Sequence, residues 1–292
     1  MMKILDITIN PITKSALFDK LSEILLSETT TTGIHKINTE FLVRAIGDSS
    51  FKGALNLPGL NIVDGRGVLW AARYLTLPVS DNHGIRLFQA VWQMVYSGAA
   101  IAFNPKFITY PVAENIPGVE ALKLMLKAAE ETGSEVFFFG ATQHDLEAAT
   151  KNIKKEMPRL KIAGSLNGYD FQKDSMMDPV SIINESGAKL LVVALGSPLQ
   201  EYWIRNNLGK LPNVRVAVGE GGSLAFLAGT LRRAPKLAQK IGLEWLWRLF
   251  MNKSLTHQTG SRLKRVWNAV PVFIYEVVKW KIKNGAIDAK TE

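Results

Sequence analysis

The chain has 292 residues, 47% of them apolar and 21% charged, enough for one large or two small globular units without covalent staples. It contains no cysteine, which excludes a disulfide framework, a thiol nucleophile and cysteine-ligated zinc. The formal net charge is +9, and the four histidines include no H-x-x-x-H pair, so a histidine-based metal site is not expected.

The first residues, MMKILDITINPITK, lack the apolar stretch of a signal peptide. No run of about 20 uncharged apolar residues is present to span a bilayer, so a cytoplasmic location is expected. Residues 4–9 read as a strand, and Thr13 caps a helix running to about Ser27. Residues 33–37 form a second strand with Asn38 at its end, followed by a helix over 39–47. A short strand over 60–63 ends at Asp64-Gly65, and residues 67–74, apolar except Arg73, read as a buried helix. Residues 78–111 break the rhythm with a helix-like stretch over 85–96, an apolar run over 99–103 and a proline-bounded loop. They read as an insertion or a lid.

The rhythm then resumes. Residues 121–132 are an amphipathic helix, 135–139 a strand ending at Gly140, and 145–157 a helix with Glu147 and Lys151 one turn apart. A strand over 160–163 is followed by Asn167-Gly168-Tyr169, and 179–186 form a helix. Two more strands cover 191–195 and 214–218. Strand-helix alternation predicts an α/β fold, a parallel sheet with helices on both faces. In such sheets the loops after the strands converge on one edge. Here those loops carry Asn38, Asp64, Gly140, Tyr169, Gly196, Gln200 and the stretch from Gly219 to Gly222.

Chemistry is expected at that edge. Glycines beside Asp64 let a ligand approach the backbone, and a carboxylate there serves as a general base if burial raises its pKa. Capping of the next helix explains the same aspartate equally well. The buried strand over 191–195 ends in a Gly-Ser-Pro turn followed by Gln200 and Glu201, an amide and a carboxylate at a strand end. Gly219, Gly221 and Gly222 precede a helix over 224–228, where free N–H groups suit a phosphate, although glycine turns also serve helix packing. The pattern is neither a P-loop nor G-x-G-x-x-G, which disfavours an ATPase or a dehydrogenase.

Positive charge is concentrated between Thr230 and Arg265, including Arg232, Arg233 and Arg248, with Glu244 as the single acid and tryptophans at helical spacing. Such a stretch suits an anionic membrane surface, the leading reading, or nucleic acid; the plainer and less favoured alternative is a solvated helix face over an aromatic core. No nucleic-acid motif accompanies it, so nucleic acid is not the expected partner. The predicted organisation is an α/β catalytic domain over 1–229, a basic amphipathic appendage over 230–280 and a tail over 281–292.

Together the motifs resemble the WecG/TagA/CpsF family of glycosyltransferases. They are INTEFLVRA (37–45), VDGRGVLWAARYL (63–75), ENIPGVEAL (114–122), VFFFGA (136–141), LNGYD (166–170), VALGSPLQEYWI (193–204), VGEGGSLAFLAG (218–229) and RRAPKLAQKIGLEWLWRL (232–249), in order along the chain. The resemblance implies a Rossmann-like fold with a C-terminal appendage that docks on the membrane. It implies inverting transfer of a sugar, N-acetylmannosamine favoured, from a UDP-sugar to a polyprenyl-diphosphate-linked GlcNAc at the inner membrane face. That reaction belongs to cell-envelope polysaccharide or teichoic acid synthesis.

By the same resemblance Asp64 is the general base, Gln200 holds a sugar and Asn38 lies near the site. Developing charge on UDP needs cations or N–H dipoles; Arg232, Arg233, Arg248 and the glycine loop are the candidates. No D-x-D pair suggests a metal, and no cofactor is expected. The chain departs from the family pattern at Lys36 (usually Thr), Thr39 (Pro), Asn115 (Arg), Glu120 (Asp), Glu220 (small or apolar) and Ala225 (Asp). The alternative these departures leave is a sugar-nucleotide or lipid-binding homologue with weakened catalysis. The apolar side chains Phe88, Val91, Trp92, Val95, Tyr96 and Phe103 of the insertion fit a lid or membrane contact, and equally a homo-oligomer interface or extra core.

Overall fold

The computed structural model describes residues 1–168, 178–231 and 268–288. Eight strands lie among them: β1 (Met2–Ile4), β2 (Ile7–Ile9), β3 (Thr32–Ile37), β4 (Gly59–Val63), β5 (Val136–Gly140), β6 (Ile162–Leu166), β7 (Leu190–Ala194) and β8 (Val216–Gly219). The last six form one parallel sheet in the order β4-β3-β8-β7-β5-β6. The helices are α1 (Lys14–Leu26), α2 (Thr39–Gly47), α3 (Ser49–Leu55), α4 (Arg66–Thr76), α5 (His83–Phe103), α6 (Gly118–Thr132), α7 (Gln143–Glu156), α8 (Pro179–Ser186), α9 (Leu199–Asn207), α10 (Gly221–Ala228) and α11 (Phe273–Asn284).

Residue period along the strands sets the layers. Val136 and Phe138 of β5, with Leu190 and Val192 of β7, face a core shared with α1, α6, α7 and α10. Their neighbours Phe137, Phe139, Leu191 and Val193 face Ile183 of α8 and Ile204 of α9 on the other side. Strands buried on both faces are what helices on both faces require. A third core joins the β1–β2 hairpin, α2, α3, α4 and α11 around Phe51, Tyr74 and Phe273. The chain leaves β3 into α2 on one face, and leaves the neighbouring β8 into α10 on the other. Such a switch point is where open parallel sheets form their ligand crevice.

Several expected elements are corrected. Residues 4–9 are not one strand, because Leu5 and Asp6 take φ of 49° and 64° and turn the chain into a two-residue hairpin. The strand expected at 160–163 begins later, at Ile162, because Leu160 N–H closes a turn onto Met157 O at 3.2 Å. The two apolar pieces expected at 85–96 and 99–103 are one helix, α5, which runs through Gly98. The glycine-loop helix starts at Gly221 rather than 224. The expected tail boundary at Lys281 falls inside α11: Lys281 is fully buried, donates to Tyr74 O and to Gln93 Oε1 (2.6 Å), and lies over the Tyr74 ring. Burial of that ammonium, with Arg73 nearby, pushes its pKa down to about 7.

Candidate active site

The carboxyl ends of the parallel strands bring Asn38, Asp64, Gly140, Gly196, Gln200, Gly219, Gly221 and Gly222 to one edge of the sheet. Tyr169, Arg232, Arg233 and Arg248 lie outside the described residues.

Asp64 follows β4 and is half-buried, with its N–H donating to Ile37 O at 2.9 Å. Gly65 then turns the chain into α4 with φ of 115°, a conformation that a side chain would strain. Asn115 clamps this turn by accepting the Gly65 N–H at 2.5 Å, and Ile116 N–H bonds Val63 O at 2.9 Å. Asn115, where the family pattern has arginine, therefore shapes the aspartate turn. Arg66 reaches away from it, donating to Ile101 O of α5 at 3.2 Å.

The expected glycines play two roles. Among the described residues, a Cβ at Gly65, Gly196 or Gly222 would meet nothing within 4 Å, so open space lies beside these three. A Cβ at Gly140 would stand 2.6 Å from the Ala194 carbonyl carbon, and one at Gly219 would stand 2.6 Å from Gln200 Nε2. Those two serve packing between neighbouring turns.

Gln200 is 6% exposed, and both ends of its amide are engaged. Nε2 donates to Glu201 Oε1 at 2.8 Å, and Oε1 accepts the Gly221 N–H at 3.3 Å. The side chain thus ties the turn after β7 to the glycine loop after β8. Glu201 is buried as well, which raises its pKa. Asn38 caps α2, its Oδ1 accepting the Phe41 N–H at 2.9 Å. That is the local structural role its residue type predicts.

One contact at the centre of this edge unites two residues that sequence reasoning singled out only as departures. Lys36 Nζ of β3 pairs with Glu220 Oε2, next after β8, with the Lys36 side chain 15% and Glu220 0% exposed. Gly118 makes room for the pair: a Cβ there would stand 2.7 Å from Lys36 Nζ and 2.8 Å from Ser223 Oγ. Burial raises the Glu220 pKa, the Lys36 ammonium opposes that, and Asp64 adds to it by like-charge repulsion. Lys36 also acts on Glu201. Among the described residues the edge therefore holds one ammonium among three carboxyl groups, beside open backbone at Gly65, Gly196 and Gly222. Such a set can take a proton from a bound hydroxyl and place N–H groups and a cation near an anionic leaving group.

A family model described as the glycosyl transferase WecG/TagA/CpsF family matches residues 2–101 and 86–286. The N-acetylglucosaminyldiphosphoundecaprenol N-acetyl-beta-D-mannosaminyltransferase of Staphylococcus aureus (strain MW2) is 27% identical over 199 residues, 68% of this chain and 74% of that protein. The protein of the same name from Bacillus spizizenii is 30% identical over 182 residues, 62% of this chain and 66% of that protein.

Proposed function

Because the chain belongs to the WecG/TagA/CpsF family of glycosyl transferases, we propose that it moves N-acetylmannosamine from UDP to a polyprenyl-diphosphate-linked GlcNAc. The names of the relatives from S. aureus and B. spizizenii support that acceptor and that sugar. In this reading Asp64 takes the proton of the acceptor hydroxyl. The freed oxygen attacks the anomeric carbon on the face opposite UDP, so the configuration inverts. The C–O bond to UDP breaks, and its electron pair leaves on the diphosphate.

The observation that carries the reading is the turn at Asp64: a carboxylate at a strand end, set by Gly65 and Asn115, with open space beside the glycine. The Gly222 N–H in the first turn of α10, Lys36 and the arginines Arg232, Arg233 and Arg248 are the groups proposed to balance charge on UDP; the Glu220 and Gly221 N–H groups are taken by Val193 O and Gln200 Oε1. No metal is assigned a role, since the sequence offers no D-x-D pair. Gln200 fixes the two loops against each other and acts on the sugar through that positioning. The protein works on the inner face of the membrane, where its acceptor is held.

A screen of UDP-sugars with a short-chain lipid-diphosphate-GlcNAc, read by UDP release, tests this. Release with UDP-N-acetylmannosamine that requires the acceptor is expected. Binding of the donor without release would favour the non-catalytic homologue, and release with another donor alone would overturn the sugar assignment.

A further inference from the structure

Helix α5 spans 21 residues, about 30 Å, and turns an apolar face outward. Phe103 is 88% exposed, Phe88 73%, Trp92 60%, Val95 54% and Ile85 52%, with Tyr96 beside them. The opposite face is held: Ala90, Gln93 and Ser97 are buried, and Trp70 Nε1 donates to Ser97 Oγ at 2.9 Å. Soluble proteins rarely expose such a contiguous aromatic stripe without a use for it.

The charges around the stripe indicate its occupant. No acidic residue lies between Asp81 and Glu114, and the exposed Lys106 follows the helix; Arg86 is turned inward onto the carbonyls of Ser80, Asp81 and Ile282. Helix α11 packs against α5 and adds Tyr275, 62% exposed, with Lys279 over its ring at 5.5 Å. Tryptophan and tyrosine with flanking cations and a one-sided apolar face are the composition of a helix lying in a bilayer headgroup layer. Among the described residues no helix is long and apolar enough to cross a membrane. The C-terminal end of α5 is tied to the turn that carries Asp64, because Arg66, two residues after Asp64, donates to Ile101 O.

We propose that the exposed face of α5 lies on an anionic lipid bilayer and sets the Asp64 edge facing the membrane surface. The lipid-linked acceptor of the proposed function gives that orientation its purpose. The docking itself stands on the stripe and its charges.

The test is cosedimentation of the full chain with phosphatidylglycerol–phosphatidylcholine vesicles, without donor or acceptor, so that it can fail while turnover stands. The Phe88→Glu/Trp92→Glu variant is expected to bind at least tenfold more weakly. The Lys106→Glu/Lys279→Glu variant, and vesicles of phosphatidylcholine alone, are expected to weaken binding several-fold. Both variants are expected to keep the parent melting temperature and to turn over a water-soluble acceptor analogue at the parent rate. Unchanged vesicle binding by Phe88→Glu/Trp92→Glu overturns the proposal. So does conversion of a dimer to a monomer with vesicle binding intact, which would make the face a contact between two copies. A lowered melting temperature with vesicle binding intact would also overturn it, because it would place part of the same chain on this face.

Discussion

Replacing one member of the Lys36–Glu220 pair should destabilise the protein far more than replacing both. Glu220 is fully buried and the Lys36 side chain is 15% exposed, with its ammonium seated in the space that Gly118 leaves by lacking a Cβ. Removing one partner of a buried pair costs about 3–5 kcal/mol, because the other is left desolvated and uncompensated. The residual exposure of Lys36 puts Glu220→Gln near the lower end, about 3 kcal/mol, which for a chain of this size lowers Tm by roughly 6–10 °C. Lys36→Met should cost about as much at pH 8 and less at pH 5. Without the ammonium, burial holds the Glu220 pKa above its unfolded value. The folded state then binds the extra proton, and stability falls as pH rises through that window. The double variant Lys36→Met/Glu220→Gln should recover to within about 1 kcal/mol of the parent. Urea denaturation of the four proteins at pH 5 and pH 8 measures all of this. Additive losses in the double variant, or single variants within about 0.5 kcal/mol of the parent, would refute the reasoning.

Four further outcomes follow from buried groups. Gln200→Ala strands the Gly221 N–H and removes the amide donor of Glu201, so a loss of about 2–4 kcal/mol is expected together with lowered turnover. Gly219→Ala should be harmful in the parent but tolerated beside Gln200→Ala, since its Cβ would meet the Gln200 side chain; denaturation of both backgrounds checks this. Burial holds the His35 pKa down to about 4, so the unfolded chain binds a proton that the folded one refuses, and stability should fall as pH drops from about 6.5 towards 4. That slope should be smaller in His35→Leu. Lys281, with its pKa pushed down to about 7, should make Tm rise between pH 7 and pH 9, and Lys281→Met should flatten the rise.

The sheet was legible because its strands are short apolar runs ended by glycine, asparagine or aspartate. Both faces of β5 and β7 are buried, and the runs VFFFG and LLVVA show it directly. The hairpin at Leu5-Asp6 was not legible, because one of its two positive φ angles falls on a leucine, which gives no turn signal, and no glycine or asparagine stands beside Asp6. Gly98 looked like a break in α5, yet the buried Ser97 and Ala90 hold the helix through it. Lys281 looked like tail composition; its burial depends on Tyr74 and Gln93, both remote in sequence.

At the site, Asp64 and Gln200 were legible from strand ends, but the use of the Gln200 amide was not, since it depends on β7 and β8 being neighbours. The pairing of Lys36 with Glu220 escaped for the same reason: 184 positions separate them, and only the β3–β8 adjacency joins them. Glycine spacing alone could not separate the packing roles of Gly140 and Gly219 from the open backbone at Gly65 and Gly222.

The central claim is that Asp64 is the base. Its most direct measurement is single-turnover UDP release by Asp64→Asn and the parent, with UDP-N-acetylmannosamine and a lipid-diphosphate-GlcNAc, alongside donor affinity by calorimetry. A loss of about 100-fold to 10,000-fold in rate with donor affinity kept within about threefold is predicted, the range expected for removing a general base. A rate within threefold of the parent would contradict the account.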